Sequence, residues 1–184
     1  IPWPKGARAR MHSVAGARDG KIFLFAGRDN LSDGEIEHPG DRIKVHSLDF
    51  LRDCWRLDPE SLEWTRLADL PKGLSAAPMN AVPAGDADLL MLGGVHVRFL
   101  KRQIAARPEL NGQGHEHPGF PRAIWAYDTG ADTWRIAGWL PRKVVVPVTV
   151  PVVMTGPRSF VIPSGEIKPG VRTTQVIQGR IGKN

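Results

Sequence analysis

Apolar residues in this chain gather in short runs that end on small residues: KIFLFAG at 21–27, ADLLMLGG at 87–94 and RSFVIPSG at 158–165. A turn precedes each run: Arg18-Asp19-Gly20, Ala84-Gly85-Asp86 and Thr155-Gly156-Pro157. Before each turn comes a small or alternating apolar stretch, at 13–17, 76–82 and 144–153. Runs this short, bounded by Gly, Pro and Asp, predict β-strands rather than helices. Small residues at a strand end predict close approach of backbones. The valine stretch 144–153, interrupted by Pro147 and Pro151, reads as an inner strand with bulged or edge character.

The strands recur with a fixed period. CWRLDPESLEW, Cys54 to Trp64, aligns with IWAYDTGADTW, Ile124 to Trp134, at an offset of 70, and the same offset carries Leu70-Pro71 onto Leu140-Pro141. Pro4-Lys5-Gly6 aligns with Pro71-Lys72-Gly73, and 21 positions separate Gly6 from Gly27 and Gly73 from Gly94. A third copy runs from Lys143 to Gly165. Residues 1–184 therefore read as a single all-β domain with repeats at about 1–71, 72–141 and 142–184, Trp64 and Trp134 serving as packing anchors.

The doublet Gly93-Gly94 after an apolar strand, then Tyr127-Asp128 with Trp134 seven residues after the Tyr, resembles the kelch repeat. That resemblance implies a β-propeller, one four-stranded blade per repeat around a central channel. Three copies fall short of the four to eight blades usual in a closed ring. The chain is expected to form about three blades of a six-bladed ring and to be a segment of a larger protein. The remaining blades would come from the same parent chain or from a second copy.

Composition narrows the partners. The net charge is +6 and the pI about 9.9, which permits a small acidic ligand. The basic residues are scattered, however (Arg8, Arg10, Arg18, Arg28), with Lys101-Arg102 the densest run, so no nucleic-acid partner is expected. Apolar runs are too short to span a bilayer, so no membrane partner is expected. The single cysteine, Cys54, excludes an internal disulfide and a cysteine-cluster metal site. The chain opens on Ile1 rather than Met, so an upstream segment is allowed for.

In a propeller the loops that follow the small dipeptides lie on one face, around the channel mouth. Arg28, His96 and Glu166 fall in those loops. Lys168-Pro169-Gly170-Val171 has the pattern of a type II turn, which sets Glu166 across a hairpin from Arg172. On residue types alone that pair reads as an ion pair pinning the hairpin. His12 reads as a structural polar residue facing its blade. His115-Glu116-His117, on a Gly/Pro-rich loop, has nothing to fix its orientation, so neither a metal nor any other cofactor is expected.

A second resemblance gives the pair a role. The segment Trp125 to Val176 contains YDTGADTW and GEIKPGVRT, in which Gly165, Glu166, Lys168, Pro169, Gly170, Arg172 and Thr173 match a family motif position by position. It is similar to the bacterial N-acetylneuraminate (sialic acid) mutarotase family, six-bladed kelch propellers. The resemblance implies a mutarotase or epimerase acting on an acidic sugar, with Glu166 moving a proton and Arg172 orienting the anion. Arg28 and His96 are then candidate substrate contacts, and a periplasmic or secreted location is implied. The alternative is a non-catalytic kelch module that binds a protein or carbohydrate through its loops.

Overall fold

The computed structural model describes residues 1–29, 49–96, 120–168 and 171–182, and among these there are strands and turns but no helix. The first blade contains β1 (Val14–Arg18), β2 (Lys21–Phe25), the two-residue pair β3 (Arg28–Asp29) and β4 (Asp49–Phe50), then β5 (Cys54–Leu57) and β6 (Trp64–Leu67). Its sheet has the order β1-β2-β5-β6, antiparallel throughout. The second blade repeats this meander with β7 (Val82–Ala84), β8 (Asp88–Leu92), β9 (Ala123–Asp128) and β10 (Thr133–Trp139). In the third, β11 (Val153–Gly156), β12 (Ser159–Lys168) and β13 (Val171–Arg180) form a three-stranded sheet.

The repeat residues do the same work in the first two copies. Asp58 Oδ1 accepts from the Glu60 amide at 3.0 Å and Asp128 Oδ1 from the Gly130 amide at 2.9 Å, so a short side chain closes each outer turn. Trp64 Nε1 donates to the Pro2 carbonyl at 2.9 Å, and Trp134 Nε1 to the Ala68 carbonyl at 3.0 Å. Each tryptophan thereby ties the outermost strand of its blade to the segment entering the repeat.

The core lies between the faces of successive blades. Phe25, Leu89, Met91 and Tyr127 are fully buried between the first and second, with Trp134 against them. Phe25 meets Tyr127 at 5.2 Å and Trp134 at 5.1 Å between ring centroids, distances at which tilted aromatic pairs attract. Val82, Leu92, Val146, Val150 and Ile162 fill the second interface.

The inner strands depart from expectation. Regular pairing begins at Val82 in the second blade and at Val153 in the third, each later than the apolar stretches at 76 and 144 suggested. Upstream there are single bridges at Ser75, Asn80 and Val148. Pro78, Pro147 and Pro151 have no amide hydrogen to offer a ladder, and Pro78 and Pro147 are fully buried. Sparse bonds to the neighbouring blade take over instead: Ala15 N to Met79 O at 3.0 Å, Ala81 N to Ala15 O at 2.8 Å, and Met79 N to Val150 O at 2.8 Å.

Candidate functional site

The small dipeptides share one backbone conformation. Ala26-Gly27, Gly93-Gly94 and Ser164-Gly165 all have positive φ, with 55° and 105°, 68° and 89°, and 53° and 116° in turn. Ala and Ser accept the first left-handed position at some cost, whereas the second has no room for a side chain. A Cβ on Gly165 would stand 2.2 Å from Val150 Cγ1, and one on Gly27 would stand 2.6 Å from Ser13 Oγ. The kink brings the next residue against the segment that enters the same blade. Arg28 bridges Met11, Val95 bridges Ser75, and Glu166 bridges Val148.

One step further along each entering segment lies another left-handed residue: His12 at 55°, Ala76 at 59° and Thr149 at 54°. These three link the blades in series, the Ala76 amide donating to the His12 carbonyl at 3.0 Å and the Thr149 amide to the Ala76 carbonyl at 3.1 Å. Three blades thus present the same two backbone positions to one point.

They converge on a cavity of about 240 Å3. The first blade contributes His12 and Arg28, the second Ser75, Ala76 and Val95, and the third Val148, Thr149 and Glu166, with Phe50 and Phe120 as aromatic wall. Among the described residues, Arg28 Nε is buried without a hydrogen-bond partner and the guanidinium has no ion pair. Ser75 Oγ in the same wall is likewise buried, with no partner among the described residues. Burial pulls the Arg28 pKa below the usual arginine value. Burial, and then the Arg28 charge, hold His12 below the ordinary histidine value of 6.5. The site therefore combines a carboxylate, a weakly basic imidazole and a cation that has no counter-ion among the described residues.

Of the residues singled out in the sequence, Glu166 and Arg28 meet in this cavity. Arg172 stands outside its wall, its side chain 70% exposed against 29% for Glu166, with Nη2 3.8 Å from Glu166 Oε2. His96 follows the wall residue Val95 and is half-buried, but is not itself part of the described wall. Pro169-Gly170 and His115-Glu116-His117 lie outside the described residues. His12, read from the sequence as structural, is part of the cavity. Setting it against its repeat equivalents, Ala76 and Thr149, is the signal that finds it.

Two other features lie outside the cavity wall. Cys54 is fully buried and its thiol is pushed up to about 12 by burial. A larger groove of about 670 Å3 lies among the turns that join β1 to β2, β7 to β8 and β11 to β12. There the Arg18 Nη atoms donate to the carbonyls of Ala84, Gly85 and Asp88, clamping the first blade to the second.

Comparison with known proteins agrees with this architecture. The Kelch motif model matches residues 9–71. N-acetylneuraminate epimerase of Yersinia enterocolitica is 25% identical over 189 residues, covering 93% of this chain and 44% of the relative. That of Haemophilus influenzae is 25% identical over 186 residues, covering 93% and 45%. The solved structure of YjhT superimposes with a TM-score of 0.66 at 18% identity, over 94% of this chain and 49% of YjhT. The chain is a partial kelch-type β-propeller. It spans about half the length of the curated relatives it matches, which are named N-acetylneuraminate epimerases.

Proposed function

We propose that this site interconverts the anomers of N-acetylneuraminate or a related acidic sugar. The observation that carries the reading is the Arg28 guanidinium, half-buried and, among the described residues, without a counter-ion, sharing a cavity with the Glu166 carboxylate. A cation taken from water and left unpaired is a cost to the fold, offset when an anion arrives. A sugar carboxylate supplies that anion and fits the planar guanidinium through two parallel hydrogen bonds. The names of the relatives point to the same class of substrate.

Ring opening requires a proton to leave the anomeric hydroxyl and another to reach the ring oxygen. Glu166 moves the first, since a carboxylate within hydrogen-bond reach of a hydroxyl acts as general base. Arg172, at the rim, orients the incoming anion and holds Glu166 from outside, and His96 adds a rim contact. Phe50 and Phe120 offer flat apolar surface to a sugar face. Further blades, from the same polypeptide or from a second copy, complete the ring.

The test is anomer exchange of N-acetylneuraminate followed by NMR, with the intact protein and its Glu166→Gln variant. Acceleration by the protein, falling by about 100-fold or more in the variant, is the expected outcome. An unaltered exchange rate with the folded protein overturns the reading.

A further inference from the structure

The three blades bring the same backbone to the cavity but not the same side chains, and that difference separates scaffold from chemistry. The left-handed position that relays the hydrogen bonds from blade to blade is His12 in the first repeat, Ala76 in the second and Thr149 in the third. Ala and Thr hold the conformation and the relay equally well, so neither demands an imidazole. Among the described residues the His12 ring nitrogens make no hydrogen bond or ion pair. It stands in the wall with Arg28 from its own blade and Glu166 from the third, the two charged side chains that face the same space.

We infer that His12 is the second proton-transfer group of this site, delivering a proton to the ring oxygen while Glu166 takes one from the anomeric hydroxyl. The inference rests on the function proposed above and extends it by naming the acid. In the forward step the hydroxyl proton passes to the Glu166 carboxylate and the O–H electrons form the carbonyl. The bond from anomeric carbon to ring oxygen breaks, its electron pair stays on the ring oxygen, and that oxygen receives the His12 proton. Rotation and the reverse transfers close the ring on the other carbonyl face, return both protons and leave no net change in the protein. No oxidant, metal or further reactant is needed.

Arg28 links this acid to the substrate. In the empty cavity its positive charge opposes a second cation on His12. A sugar carboxylate bound to Arg28 cancels that opposition, so the imidazole holds its proton more firmly when the anion is in place. Asp29, next along β3, is engaged elsewhere, 3.4 Å from the Arg8 guanidinium.

The test uses the intact protein, N-acetylneuraminate and the variants His12→Asn and His12→Ala. Asn tolerates left-handed backbone, and Ala occupies the equivalent position of the second blade, so both keep the fold. The wild type loses activity at high pH as His12 deprotonates, and this basic limb lies at higher pH in kcat than in kcat/KM, because the first reports the complex and the second the free protein. Either variant is expected to lose about 100-fold or more in kcat together with that limb. Added imidazole restores part of the rate to His12→Ala, which a merely structural role would not allow. A wild type that accelerates exchange, with variants that keep both rate and basic limb, overturns the role of His12 and leaves the proposed function standing. No acceleration by the wild type overturns the function, and the acid with it.

Discussion

The outer corners of the first two blades and the mouth of the channel are built from the same repeat but treat it in opposite ways. At the corners, Asp58 and Asp128 close the same turn, and Trp64 and Trp134 donate to equivalent carbonyls. Side chains recur there because their partners are backbone atoms that the repeat itself supplies. At the mouth the backbone recurs, with left-handed residues at 12, 76 and 149 and bridges from 28, 95 and 166, but the side chains are His, Ala and Thr in one set and Arg, Val and Glu in the other. These side chains face a cavity instead of a repeated partner. Constant backbone under changing side chains marks a position released from structural work and available for chemistry.

The sharpest way to break this comparison is to remove what keeps the mouth backbone constant. Gly165→Ala adds a Cβ at φ 116°, 2.2 Å from Val150 and 2.6 Å from Pro147. Strain and overpacking together predict a loss of about 3 kcal/mol or more, read from the urea midpoint of the intact protein. A variant as stable as the wild type would show that the kink is not required.

A smaller effect tests the corner. There the second blade replaces Leu57 and Leu62 by Tyr127 and Asp132, and the new pair is joined by a hydrogen bond of 2.7 Å from the Tyr127 hydroxyl to Asp132 Oδ1. Tyr127→Phe is expected to cost about 1 kcal/mol, because Asp132 keeps its bond from the Ala68 amide. Thermal denaturation measures it, and a cost several times larger would mean that the ring packing had also been lost.

The smallest stability change, and the one that most sharpens the contrast, belongs to Arg28→Met. Removal of a half-buried cation that has no counter-ion among the described residues is expected to leave stability unchanged or raise it by up to about 1 kcal/mol, while weakening retention of an acidic sugar. Melting temperature and titration with N-acetylneuraminate read the two effects separately. A variant that melts well below the wild type would place Arg28 among the structural residues instead.

Much of the molecule was legible along the chain. The turns at 18–20 and 84–86, the glycine-ended strands and the tryptophan spacing all depend on contacts within a blade, so local pattern reports them. The inner segments at 76 and 144 were harder, since apolar content suggested strands but Pro78, Pro147 and Pro151 withhold ladder donors. At the site, position after the small dipeptide pointed to Arg28 and Glu166. It could not show that Arg172 lies outside the cavity wall, because that depends on how far the hairpin projects. That His12 lines the same cavity was not legible, because its neighbours in sequence do not reveal what the next blades bring beside it.

The sequence by itself determined a β repeat, its period and the kelch type of propeller, since these follow from hydrophobic alternation, turn residues and glycine placement within some 70 positions. The tertiary structure alone decided that His12, Arg28, Ser75 and Glu166, drawn from three blades, share one cavity, and that Arg28 has no counter-ion among the described residues there. The physical reason is that burial and charge pairing are set by the packing of one blade on the next, and no local pattern encodes which distant side chains that packing brings face to face.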